Sequence, residues 1–106
     1  MKSITQVTQE LLLIREKTFG GKAKGRYKMS LSNFRVLCER KRLDPKFLDD
    51  IISYAIEEGL VITVITNYIC VVEIDSPLSY RPVPKSVLAE FLTGSEHLPK
   101  ESEEDE

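Results

Sequence analysis

Lysine and arginine crowd one third of this chain, and phosphate is the group they are suited to bind. From Arg15 to Lys46 stand eleven basic residues, opposed by Glu16, Glu39 and Asp44 alone, an excess of +8. From Phe47 to the C-terminus thirteen acids face Arg81, Lys85 and Lys100, giving −10. The formal net charge of −2 hides this dipole. Cations at such density neutralise phosphates and release counterions, whereas the acidic half repels them. The candidate nucleic-acid contacts are Lys22, Lys24, Arg26, Lys28, Arg35, Arg40, Lys41, Arg42 and Lys46. Tyr27, set among them, offers a ring that can stack on a base. The competing reading is an ordinary solvated face steadied by pairs such as Arg35–Glu39 at i, i+4. A solvated face usually interleaves its signs, and Lys22–Lys28 does not.

Other chemistry has little to work with. His97 is the sole histidine and falls in the acidic tail. Gly20-Gly21 lacks the spacing of a phosphate-binding loop. Asp49-Asp50 and Glu57-Glu58 are adjacent pairs, and neighbouring helix residues point about 100° apart, so neither pair aims at one substrate atom. Cys38 and Cys70 have no second cysteine or histidine at ligand spacing, and read as buried, reduced thiols of a cytoplasmic protein. The expectation is no enzyme, no metal and no cofactor. The N-terminus does not read as a signal peptide. Leu60–Ile74 is too short and too β-branched to span a membrane, so no membrane partner is expected.

The elements that must position the basic residues are written in the pattern. A length of 106 residues and 42% hydrophobic content fit one domain with a modest core. Ser3–Phe19 is predicted as a helix: Ser3 and Gln6 form a capping box, Ile4, Val7, Leu11 and Ile14 recur at helical spacing, and Gly20-Gly21 stop it. A short strand is predicted around Arg26–Met29. Ser30 caps a second helix, Leu31–Arg42, with Leu31, Phe34, Leu37, Cys38 and Lys41 inward. Asp44-Pro45 opens a third helix that runs to about Glu58, where Gly59 ends it. Then the period changes from 3.6 to 2. Leu60–Ile74 reads as a β-hairpin turning at Thr66-Asn67. An extended proline linker leads to a last helix from Pro84 through Leu92. The domain is expected over residues 1–94, with 95–106 a disordered acidic tail.

Helix, short strand, helix, tight turn, helix, hairpin is an order that resembles the winged helix-turn-helix superfamily. The resemblance covers about Ile4–Ile74 and is most specific at Leu31–Gly59 followed at once by Leu60–Ile74. It implies an α+β fold of three helices plus a β-hairpin wing, here with an additional C-terminal helix. It also implies a nucleic-acid-binding protein, a transcriptional regulator on double-stranded DNA. This chain departs from the family at its third helix, which shows Asp49, Asp50, Glu57 and Glu58, and Lys46 as its sole base. Four carboxylates facing a duplex with one charge per ~1.7 Å are repulsive. The alternative is a protein-interaction module that docks through that acidic helix or the apolar hairpin.

The hairpin also speaks to assembly, because both of its faces are apolar. One carries Val61, Thr63, Ile65, Tyr68, Cys70 and Val72, the other Ile62, Val64, Ile69 and Val71. The three helices can cover one face, and a bare second face invites aggregation. The cover is either the C-terminal helix or a second copy of the chain. A two-fold homodimer with Ile62, Val64, Ile69 and Val71 at its interface is the expectation, since it would also pair two basic surfaces.

Overall fold

The computed structural model describes residues 1–21, 25–94 and 98. Its elements are α1 (Ile4–Glu16), β1 (Tyr27–Ser30), α2 (Leu31–Leu37), α3 (Pro45–Glu57), β2 (Leu60–Ile65), β3 (Tyr68–Glu73), α4 (Asp75–Leu78) and α5 (Lys85–Ala89). The architecture is α+β: a small antiparallel sheet in the order β1-β3-β2, with helices against one face.

The helix starts follow local chemistry. The Ser3 hydroxyl accepts the Gln6 N–H (3.2 Å) and the Gln6 side chain accepts the Ser3 N–H (2.9 Å), so two otherwise orphaned donors are satisfied. Ser30 accepts from the Asn33 N–H and Asp44 from the Lys46 N–H, ahead of α2 and α3 respectively. Pro45 pre-sets the first turn of α3. Gly59, at φ +91°, supplies the left-handed residue that lets the chain leave α3 and enter β2 directly.

The helix ends are less local. α1 stops at Glu16 rather than Phe19. α2 stops at Leu37, well short of Arg42, because Glu39 adopts a left-handed φ of +58°. The Glu39 N–H then bonds the Val36 carbonyl (2.9 Å) and the Arg40 N–H bonds the Arg35 carbonyl (3.2 Å). These two bonds close the helix as a glycine normally would, with a glutamate paying the steric cost. Lys41, expected on the inner face of a longer helix, is consequently outside the helix and exposed. Downstream, the first part of the expected linker forms the single turn α4, and the last helix is shorter than its pattern. The acidic tail, Leu98 excepted, lies outside the described residues.

The hairpin turns at Thr66-Asn67 as expected, with Ile65 opposite Tyr68, Val64 opposite Ile69 and Ile62 opposite Val71. β1 adds to the other edge of β3, with Met29 opposite Ile69. Leu60 enters β2 pointing inward, and the two-residue period carries Ile62 inward with it, together with its partner Val71 and with Ile69. These side chains join Val7, Leu11, Phe34, Cys38, Phe47, Ile51 and Ala55 in the core. The expected interface therefore needs correction. Ile62, Ile69 and Val71 belong to the core of the single chain, and Val64, near the turn on the same face, stays partly open. The other face turns outward: near the turn Ile65 is 54% exposed and Tyr68 42% exposed, while Val61, Cys70 and Val72 are half-buried. In the C-terminal segment Val87, Leu88, Phe91 and Leu92 are all exposed.

Candidate nucleic-acid interface

β1 alternates its side chains, and that alternation divides the basic segment. Tyr27 and Met29 lie on the inner face and are partly buried against the core. The Tyr27 hydroxyl donates to the Leu11 carbonyl (2.6 Å), and its ring meets Phe19 edge-on at 6.0 Å. Burial holds the phenol well above its usual pKa, against an opposing pull from Arg15. Tyr27 thus ties β1 to α1 and is turned away from any surface on which a base could stack. Arg26 and Lys28 are exposed, and Lys28 sits 4.5 Å from the centroid of the Tyr68 ring on the outer face of the sheet. Lys22 and Lys24 lie outside the described residues.

The second group sits in the turn between α2 and α3, where the structure gathers Arg35, Arg40, Lys41 and Arg42. Two of these work internally. Arg35 donates to the carbonyls of Arg40 (2.9 Å) and Lys41 (3.4 Å), not to Glu39, and so braces the turn. The Arg40 guanidinium lies 3.4 Å from the centroid of the Phe47 ring and donates to the Lys2 carbonyl (3.3 Å). Its Nε is buried without a partner among the described residues. Lys41 and Arg42 are exposed and line an open hollow with Met1, Glu39, Arg40 and Asp44. Lys46 is exposed but paired with Asp50 at 3.1 Å.

The N-terminus also belongs to this surface, which sequence reasoning missed. The Met1 ammonium is 3.9 Å from Glu39, and the Lys2 N–H bonds the Cys38 carbonyl at 3.3 Å. No local signal could have placed Lys2 beside residues some 36 to 38 positions away.

The electrostatics now separate two kinds of cation. Arg15 pairs with Glu73 at 2.6 Å and Lys2 with Glu10 at 2.8 Å, alongside the Lys46–Asp50 pair. No ion pair engages Arg26, Lys28, Lys41 or Arg42 among the described residues. Two carboxylates share the hollow with Lys41 and Arg42: Asp44 caps α3, and Glu39 lies 3.9 Å from the Met1 ammonium.

Cys38 lies beneath this turn, fully buried, and burial pushes its thiol up to about 11 despite the opposing charges of Arg40 and Lys2. The consequence is a pH dependence. Below about pH 7.5 the thiol is protonated in both folded and unfolded chains and contributes no slope. Above that, the unfolded chain loses the proton first, so stability falls as pH rises towards about 11, by up to about 2 kcal/mol. Urea titrations at about pH 8 and about pH 10.5 should show this loss, and Cys38→Ala should show less of it.

Among the described residues no group of three or more His, Cys, Asp or Glu is placed to hold a metal ion. None of their helices is long and apolar enough to cross a membrane. No protein-family model matches the chain, and neither a curated protein nor a solved structure matches it.

Proposed function

We propose that this chain is a winged-helix domain that binds nucleic acid, as a transcriptional regulator on double-stranded DNA. The element order α1-β1-α2-α3-β2-β3 and the strand order β1-β3-β2 support the winged-helix reading. The observation that carries binding is that Arg26, Lys28, Lys41 and Arg42 are exposed and, among the described residues, without carboxylate partners, whereas Lys2, Arg15 and Lys46 are ion-paired. Lys41, Arg42 and Lys46 cluster at the N-terminal end of α3, where the helix dipole adds positive potential. Glu57 and Glu58 stand at the opposite end. The domain meets the phosphate backbone with that end and the turn before it, rather than laying α3 along the groove.

Fluorescence anisotropy with a labelled duplex tests this. Neutralising ~4 phosphates gives a log–log salt slope of about −3.6, so affinity falls roughly 100-fold between ~50 and ~200 mM salt. The double variant Lys41→Glu/Arg42→Glu should weaken binding on every sequence, while Asp49→Ala should not. Absence of binding at the lowest salt overturns the reading. It would favour a second one, a protein-interaction module, which draws its support from Ile56. That residue is 46% exposed on α3 beside Ser53 and Glu57, a small apolar patch edged with acid.

A further inference from the structure

Glu39 stands where a glycine or an asparagine usually stands. It closes α2 in the left-handed region, at φ +58°, and a glutamate is strained there. The fold gains little from its side chain. The hydrogen bonds that end the helix come from the backbone N–H groups of Glu39 and Arg40, which any residue but proline would supply. The carboxylate accepts no hydrogen bond among the described residues. Its ion pair with the Met1 ammonium spans 3.9 Å, with both side chains more than half exposed, and exposed pairs of this kind contribute almost nothing to stability.

Strained residues gather at functional sites, and Glu39 lies in the candidate one. It lines the open hollow with Arg40, Lys41, Arg42 and Asp44. Two of these are engaged in the fold, Asp44 in capping α3 and Arg40 on the Phe47 ring. What remains in the hollow is one largely exposed carboxylate beside two exposed cations that make no ion pair among the described residues. The charge of Glu39 also reaches the Lys2 ammonium.

We infer that Glu39 is an internal counter-anion, whose carboxylate competes with backbone phosphate for Lys41 and Arg42 and holds the affinity of this surface down. This role rests on the nucleic-acid reading of the turn and adds a specificity device to it. Phosphate contacts position a protein on a duplex but carry no sequence information. An anion that weakens them restrains binding to arbitrary sequence, and the ratio of specific to non-specific affinity is what a regulator needs. The strain at Glu39 is then tolerated for the sake of a charge in the hollow, not for the helix end.

Charge and strain separate in three variants of the full chain, each measured by anisotropy with a labelled duplex and by thermal melting. Glu39→Gln removes the charge and keeps the strain. A unit charge about 4 Å away is worth about fivefold in water. Binding should therefore tighten roughly 5-fold at ~50 mM salt and less than about 2-fold at ~200 mM, and the salt slope should steepen by about 0.9, one phosphate more. The melting temperature should stay within about 1 °C. Glu39→Asp keeps the charge in a residue that tolerates the left-handed region, so it should melt roughly 2–5 °C higher with its affinity unchanged. Glu39→Asn should show both effects together. Asp49→Ala, which removes a carboxylate from the exposed face of α3, should leave affinity as it is. Binding by the unmodified chain with no gain in Glu39→Gln overturns the counter-anion and leaves the nucleic-acid reading standing, whereas no binding by either chain overturns both. An equal gain from Asp49→Ala would reduce the effect to net charge and overturn the role of Glu39. So would a clear fall in the melting temperature of Glu39→Gln, which would place the carboxylate in the fold.

Discussion

Arg40→Glu is expected to destabilise the fold by about 3 kcal/mol, while Arg42→Glu, two residues along, costs less than about 0.5 kcal/mol. The difference lies in what the side chains touch. Arg40 is half-buried, with its guanidinium against the Phe47 ring and a hydrogen bond to the Lys2 carbonyl, and it joins the N-terminus to the α2–α3 turn. A carboxylate there loses the cation–π contact and the hydrogen bond and puts a like charge near Glu39. Arg42 is exposed and makes no ion pair among the described residues. Urea unfolding of the two variants measures the contrast directly. Arg40→Met should recover part of the loss by keeping the aliphatic packing on Phe47. Equal stabilities of the Arg40→Glu and Arg42→Glu variants would show that Arg40 is a surface cation like its neighbours. The contrast also decides how binding variants are chosen, since a weakened Arg40→Glu protein would be losing its fold rather than a phosphate contact.

Phe34→Ala is expected to cost about 3–5 kcal/mol, a large part of the stability of a domain this size. Phe34 has no exposed surface and is the largest fully buried side chain of the core. It is also the principal anchor of α2, a seven-residue helix too short to persist without packing. At ~4–5 °C per kcal/mol for a domain of this length, the melting temperature should drop by roughly 12–25 °C. Leu37, half-buried at the edge of the core, provides the comparison, and its alanine variant should lose much less. Because α2 carries Arg35 into the turn that Lys41 and Arg42 occupy, loosening α2 should also disperse the candidate interface. Similar costs at Phe34 and Leu37 would contradict this division of the helix.

Much of this architecture was written locally. Ser3 with Gln6, Ser30, and Asp44-Pro45 mark three helix starts because a cap is satisfied by backbone donors two or three residues away. The change from helical to strand period at Gly59, and the turn at Thr66-Asn67, depend on the same short range. The charge dipole is a property of composition and needs no fold. The outline of an α+β chain was therefore legible in the amino-acid order. What the tertiary structure decided is which side of each element faces in. A hairpin apolar on both faces satisfies the strand pattern in either orientation, and only its packing on α1–α3 sent Ile62, Ile69 and Val71 to the core and left Ile65 and Tyr68 outside. Arg35, Arg40 and Tyr27 resemble binding residues by type, but their partners are carbonyls and a ring that folding brings to them, the farthest being Lys2, 38 residues from Arg40. Long side chains take their roles from contacts distant in sequence, and such contacts exist only once the chain has closed on itself.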